Sequence, residues 1–171
     1  DAAGTWEYVN GRLGIAAGAF RLVDRQQPER FEPLVARGAT LALADNVVTA
    51  EALLREPTTD AAVTRVDIHH GLSTGRGHAD LAVEGLTFGR SLQPDKLTPL
   101  ALGVVANVAG TVTGTGRIDW DEKGVASTGR FSSEALDFAA AFGPVKGASG
   151  TLVFSDLIGL TTAPNQVLKV A

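Results

Sequence analysis

The sequence predicts an all-β protein: an antiparallel meander that forms a long, curved or half-open sheet with one apolar concave face and at most one or two short helices. Three observations predict it. Residues 100–120 alternate apolar and polar for about twice the ~3–10 residues of an ordinary strand. Glycine supplies 20 of the 171 residues, above the usual share of about 7%, as many turns between strands require. The connections between extended runs are too short for parallel crossovers.

The elements follow in order. Residues 6–23 read as extended, interrupted by Gly11, Gly14 and Gly18, and Gln26-Gln27-Pro28-Glu29 is a polar turn. Residues 34–44 alternate loosely, and Asp45-Asn46 turns the chain into residues 47–54. Helix formers in 49–56 (TAEALLRE) offer one or two helical turns as an alternative there. After the turn Glu56-Pro57-Thr58-Thr59, residues Val63, Arg65, Asp67 and His69 oppose Thr64, Val66, Ile68 and His70, a strand. Residues 81–88 give another.

Across 100–120 one set of alternate residues is Leu100, Leu102, Val104, Ala106, Val108, Gly110, Val112, Gly114, Gly116, Ile118 and Trp120. The other set turns polar through Thr111, Thr113, Thr115, Arg117 and Asp119. Alternation of this kind places the two sets on opposite faces of a strand, or of two strands in succession, whereas a helix would scatter them. Asp121-Glu122-Lys123-Gly124 then closes a hairpin, with Val125, Ser127, Gly129 and Phe131 facing one way on the return. Residues 133–142 predict a short helix, with Ser133 as cap, Leu136, Phe138, Ala139 and Phe142 as its apolar side, and Gly143-Pro144 as its stop. Residues 152–154 lie in a later strand, and 167–170 also read as extended. No linker divides the chain, so residues 1–171 form a single domain. With no methionine and Asp1 in first place, that domain is expected to be a segment of a longer protein.

Composition excludes several functions. A net charge of −4 with no clustered Lys or Arg argues against nucleic acid and against anionic membrane surfaces. Without cysteine there is no disulfide scaffold, thiolate chemistry or Cys-held zinc. No apolar run approaches the ~18 residues of a membrane span. His69, His70 and His78 lack metal-site spacing, and neighbours on a strand point to opposite faces, so a metal site is not expected. Gly75-Arg76-Gly77 and Gly114-Thr115-Gly116 lack the third glycine and the helix of a dinucleotide loop. They read as close-packing glycines within strands. Asp119, Asp121 and Glu122 gather at one solvated turn. No catalytic residue, cofactor or enzymatic activity is expected. Gly110, Gly114 and Gly116 share a face with Val108, Val112, Ile118 and Trp120, and that face has two readings. It packs on its own core, or it is a trough left open for a chain-like ligand.

Longer strings carry a family resemblance. Residues 97–108 and 114–120, then Thr128-Gly129-Arg130-Phe131, residues 136–145, residues 150–157 and 160–164, resemble the C-terminal part of YdbH-like proteins. The resemblance is strongest over 66–171. This family is similar to TamB and other AsmA-like proteins of Gram-negative bacteria. It implies a parent protein anchored in the inner membrane, a curved periplasmic β-sheet with an apolar interior, and passage of phospholipid between the two membranes. The same domain carries a label of dicarboxylate transport, but a small dianion calls for paired cations along its path, and the apolar face has none.

With the resemblance, the apolar face becomes a lipid trough. Its expected lipid-facing residues are Leu100, Leu102, Val104, Val108, Val112, Ile118 and Trp120, joined by Phe131, Leu136, Phe138 and Phe142. Expected partners are phospholipid acyl chains and the rest of the parent's groove, with edge-to-edge self-association open to the isolated segment. The competing expectation is a non-catalytic structural or interaction domain of the envelope, in which the face is covered by the chain's own segment 138–142.

Overall fold

The computed structural model describes residues 2–171. Among these the chain folds into one antiparallel sheet of ten strands whose spatial order is the sequence order. The strands are β1 (Ala2–Val9), β2 (Arg12–Leu22), β3 (Leu34–Ala44), β4 (Val47–Arg55), β5 (Ala62–Gly71), β6 (Arg76–Phe88), β7 (Val105–Asp121), β8 (Gly124–Ala140), β9 (Gly143–Asp156) and the short β10 (Thr161–Thr162). β1 and β10 form opposite edges, so the sheet is open. Asn10-Gly11 and Asp45-Asn46 both take positive φ at both positions, as two-residue hairpins require to match strand twist.

Both helical expectations fail. Residues 49–56 lie almost wholly in β4, paired on both sides through Leu41↔Ala50 and Ala52↔Val66. Ala52 and Leu54 enter the core there. Helix propensities differ by only ~0.7 kcal/mol per residue, less than a buried leucine contributes. Residues 133–140 belong to β8, where the Ser133 hydroxyl donates to the Thr111 carbonyl instead of capping a helix. Gly143-Pro144 opens β9, leaving Ala141-Phe142 as a hairpin turn. The remaining helical structure is two single 3-10 turns, Pro94–Lys96 and Pro99–Ala101.

The long alternation is also shorter than its pattern. β7 starts at Val105, because Pro99 opens a 3-10 turn and the Thr98 hydroxyl accepts the Leu100 N–H. Leu100, Leu102 and Val104 therefore lie off the strand and exposed. Asn107 and Gly110 take positive φ, and the pairing with β8 shifts beside them. Residues 167–170 make a single bridge, Ser149↔Lys169, instead of a strand.

The core sits on one face. Leu34, Ala36, Ala39, Ala52, Leu54, Val66 and Ala79 form one buried cluster, and Val83, Leu86 and Leu92 a second. Residues 89–104, joining β6 to β7, cross this face, and Leu97 packs against both clusters. The opposite face is polar. Arg117 donates to Asp80 at 2.8 Å and to Asp119 at 3.0 Å, and the His69 and His78 rings stack 5.1 Å apart.

Candidate apolar trough

Directly paired residues on neighbouring strands share a face, so the register traces the wall residue by residue. One row runs Trp6, Ile15, Leu41, Ala50, Ile68, Ala79, Ile118 and Ser127 from β1 to β8. The row beside it runs Tyr8, Leu13, Leu43, Val48, His70, Gly77, Trp120 and Val125. Apolar side chains at alternate positions of eight consecutive strands thus make one continuous surface.

Over β1–β5 that surface is open. A cavity of about 600 Å³ is lined by Trp6, Leu13, Ile15, Phe20, Leu41, Ala50, Ala52 and Ile68, among others. Trp6 remains 71% exposed at its edge. The alanines keep the floor deep, and the longer side chains form its sides.

Over β6–β9 the same surface is covered. The Trp120 ring lies over Gly77, where a Cβ would come within 2.5 Å of it. Phe131 lies likewise over Gly114. Leu157, from the β9–β10 turn, covers Gly116 and Gly129, 2.6 Å from a Cβ built on the former. Ser127 holds that turn down, donating to the Asp156 carboxylate at 2.6 Å and accepting the Ile158 N–H at 3.0 Å. The Ser127 hydroxyl keeps the Asp156 carboxyl below the usual carboxylate range, aided by the Gly159 N–H. Trp120 is fixed by its indole N–H, which donates to His70 Nδ1 at 3.0 Å.

The residues selected from the sequence fall into three groups. Ile118 and Trp120 stand on the traced rows and pack against the first cluster, while Val112 and Phe131 lie beyond them on β7 and β8. Val108 is buried, clamped by the Gln93 side chain, and Leu136 pairs across to Ala148 beside Phe138. Leu100, Leu102 and Val104 precede β7, and Phe142 is 81% exposed in the β8–β9 turn, so these four gather at strand ends. Sequence reasoning missed the open trough itself, although Leu13/Ile15, Leu41/Leu43 and Val66/Ile68 carry the alternation that marks it.

Among the described residues no cluster of three His, Asp or Glu is placed to hold a metal, and no helix is long and apolar enough to cross a membrane. What the surface offers is chemical in the simplest sense. A hydrocarbon laid in it exchanges water for apolar wall, worth about 0.8 kcal/mol per buried CH₂.

A family model described as "YdbH-like: Intermembrane phospholipid transport protein YdbH" matches residues 1–171. Neither curated proteins nor solved structures yield a match.

Proposed function

Because this chain belongs to the YdbH-like family, a family of intermembrane phospholipid transport, we propose that it is one segment of a periplasmic bridge that conducts phospholipid between inner and outer membranes along an apolar β-sheet groove. The observation that carries the reading is the open, apolar trough of about 600 Å³ over β1–β5. Acyl chains lie along its floor, and headgroups stay at the rim in water. No bond is made or broken, so no catalytic group or cofactor is required.

Ile118 and Trp120 continue the wall past Ile68 in this reading, followed by Val108, Val112, Phe131, Leu136 and Phe138. Leu100, Leu102, Val104 and Phe142 stand at the rim. The free edges of β1 and β10 are where further groove strands of an inner-membrane-anchored parent would pair. The second reading, a structural envelope domain, draws its support from the covered face over β6–β9.

Native mass spectrometry with lipid extraction separates the two. The purified chain is expected to carry phospholipid, and Ile68→Asp to lose it while keeping its β-sheet circular dichroism. A chain that comes out free of lipid, together with an equally empty longer folded protein, would overturn transport in favour of the structural domain.

A further inference from the structure

The following rests on the lipid reading and narrows it. We infer that residues 89–104 form a strap dividing the apolar face, so that the trough over β1–β5 holds one acyl chain at a time and lipid reaches the face of β6–β9 only when the strap lifts.

The strap is rooted at one end. Leu92 is 2% exposed in the second cluster. The Gln93 side-chain amide donates to the Val108 carbonyl at 2.8 Å and accepts the Val108 N–H at 2.9 Å, pairing with β7 as a strand residue would. Its far side is held by two hydrogen bonds and by the packing of Leu97. The Glu32 N–H donates to the Leu97 carbonyl at 2.9 Å, and the Thr98 hydroxyl donates to the Arg30 carbonyl at 2.6 Å. Both partners belong to the β2–β3 loop, whose shape is fixed independently by Arg30 on Asp24 at 2.9 Å. Glycines bound the strap, Gly89 at its start and Gly103, with φ of 75°, near its end. That arrangement is a hinged cover: a root on β7, a latch of two hydrogen bonds on the β2–β3 loop, and a glycine near each end at which the backbone can turn.

Like Val63 of β5, Leu97 at the latch touches both clusters. It stands where the open half of the face meets the covered half. Capacity follows from volume. If a methylene takes about the ~30 Å³ of a water molecule, a chain of about sixteen carbons needs roughly 500 Å³ and two need about 1000 Å³. The trough offers about 600 Å³. The trough has room for one chain of a diacyl lipid, and in this proposal the second chain lies outside it.

The test places a photo-crosslinking benzoylphenylalanine at Ile15 or at Phe131 and exposes each chain to vesicles of phosphatidylethanolamine and phosphatidylglycerol. Lipid is expected to crosslink at position 15, and about tenfold or more weakly at position 131, as for an open state populated at ~10% or less. Leu97→Ala with Thr98→Val should raise the signal at 131 and leave that at 15 unchanged. A disulfide between Glu32→Cys and Leu97→Cys, unambiguous in a chain without cysteine, should abolish it. Equal crosslinking at both positions, indifferent to the disulfide, would overturn the strap. So would silence at 131 in the loosened variant. No crosslink at either position would instead overturn the lipid reading. Oleate counted by native mass spectrometry should bind once per chain, and two bound molecules would overturn the single-chain capacity.

Discussion

The halves of this sheet share a topology, an alternation and a face, yet one keeps an open trough beside its buried cluster and the other is covered by the chain's own side chains. In β1–β5 the row through Trp6, Ile15, Leu41 and Ile68 lines the open cavity. In β6–β9 the equivalent positions include Gly77, Gly114, Gly116 and Gly129, and each lies beneath a large side chain: Trp120, Phe131 or Leu157. An apolar face therefore becomes a groove or an interior according to whether the sequence supplies its own cover. Glycine beneath the cover is the local mark of the second outcome.

The largest expected difference between the halves is in side-chain truncation. Leu92→Ala should cost about 2–5 kcal/mol of unfolding free energy, as for a buried leucine whose site cannot collapse. Leu13→Ala, on the open side, should cost well under half of that. Denaturant titration of both variants gives the comparison, and similar losses would mean that the trough is as well packed as the core.

Glycine replacement sharpens the same contrast on a smaller scale. Gly116→Ala drives a Cβ to 2.6 Å from Leu157 and should destabilise by about 1–3 kcal/mol. Gly14→Ala, with no heavy atom within 4 Å of its Cβ, should lie within about 0.5 kcal/mol of the parent or slightly above it. Reversal of that order in thermal melts would dissolve the distinction between covered and open glycines.

A third comparison uses the β4–β5 turn, which borders both halves. Burial alone would raise the Glu56 carboxyl, but hydrogen bonds from Thr59 and Thr58 outweigh it and bring its pKa from 4.5 down to about 2. Because the folded value is the lower one, the unfolded chain binds more protons between the two. Stability is then fully present above pH 4.5 and falls as pH drops towards 2. Arg30 on Asp24, Lys146 on Asp137 and Ser127 on Asp156 hold those carboxyls low as well and act in the same direction. Glu56→Gln should flatten part of that acid slope in pH-dependent unfolding. An unchanged slope would place the acid sensitivity in the other three.

The alternation of 105–121, the hairpin at Asp121–Gly124 and the polar face of Arg117 and Asp119 were legible because they are local, with period and turn chemistry written into adjacent residues. Two segments misled for a physical reason. TAEALLRE and SSEALDFAAAF contain helix formers, but neighbours on both sides offered strand pairing, and pairing plus burial exceeds propensity. Leu100, Leu102 and Val104 kept the phase of β7 by coincidence, in a segment broken by Pro99 and Gly103. The cover was not legible at all. Leu157 over Gly116 and Leu97 beside β3 are contacts between distant residues, which no periodicity announces.

The spatial order of the strands repeats their order in the chain, and this has a consequence for assembly. Every strand after the first finds its partner already made, so the sheet can grow in the order of synthesis, one hairpin at a time and with little loop entropy to overcome. The link from Thr98 to Arg30 spans 68 residues and cannot form until six strands have been laid down. The trough over β1–β5 is thus complete before its neighbour is roofed, and the molecule is born open and closes itself last.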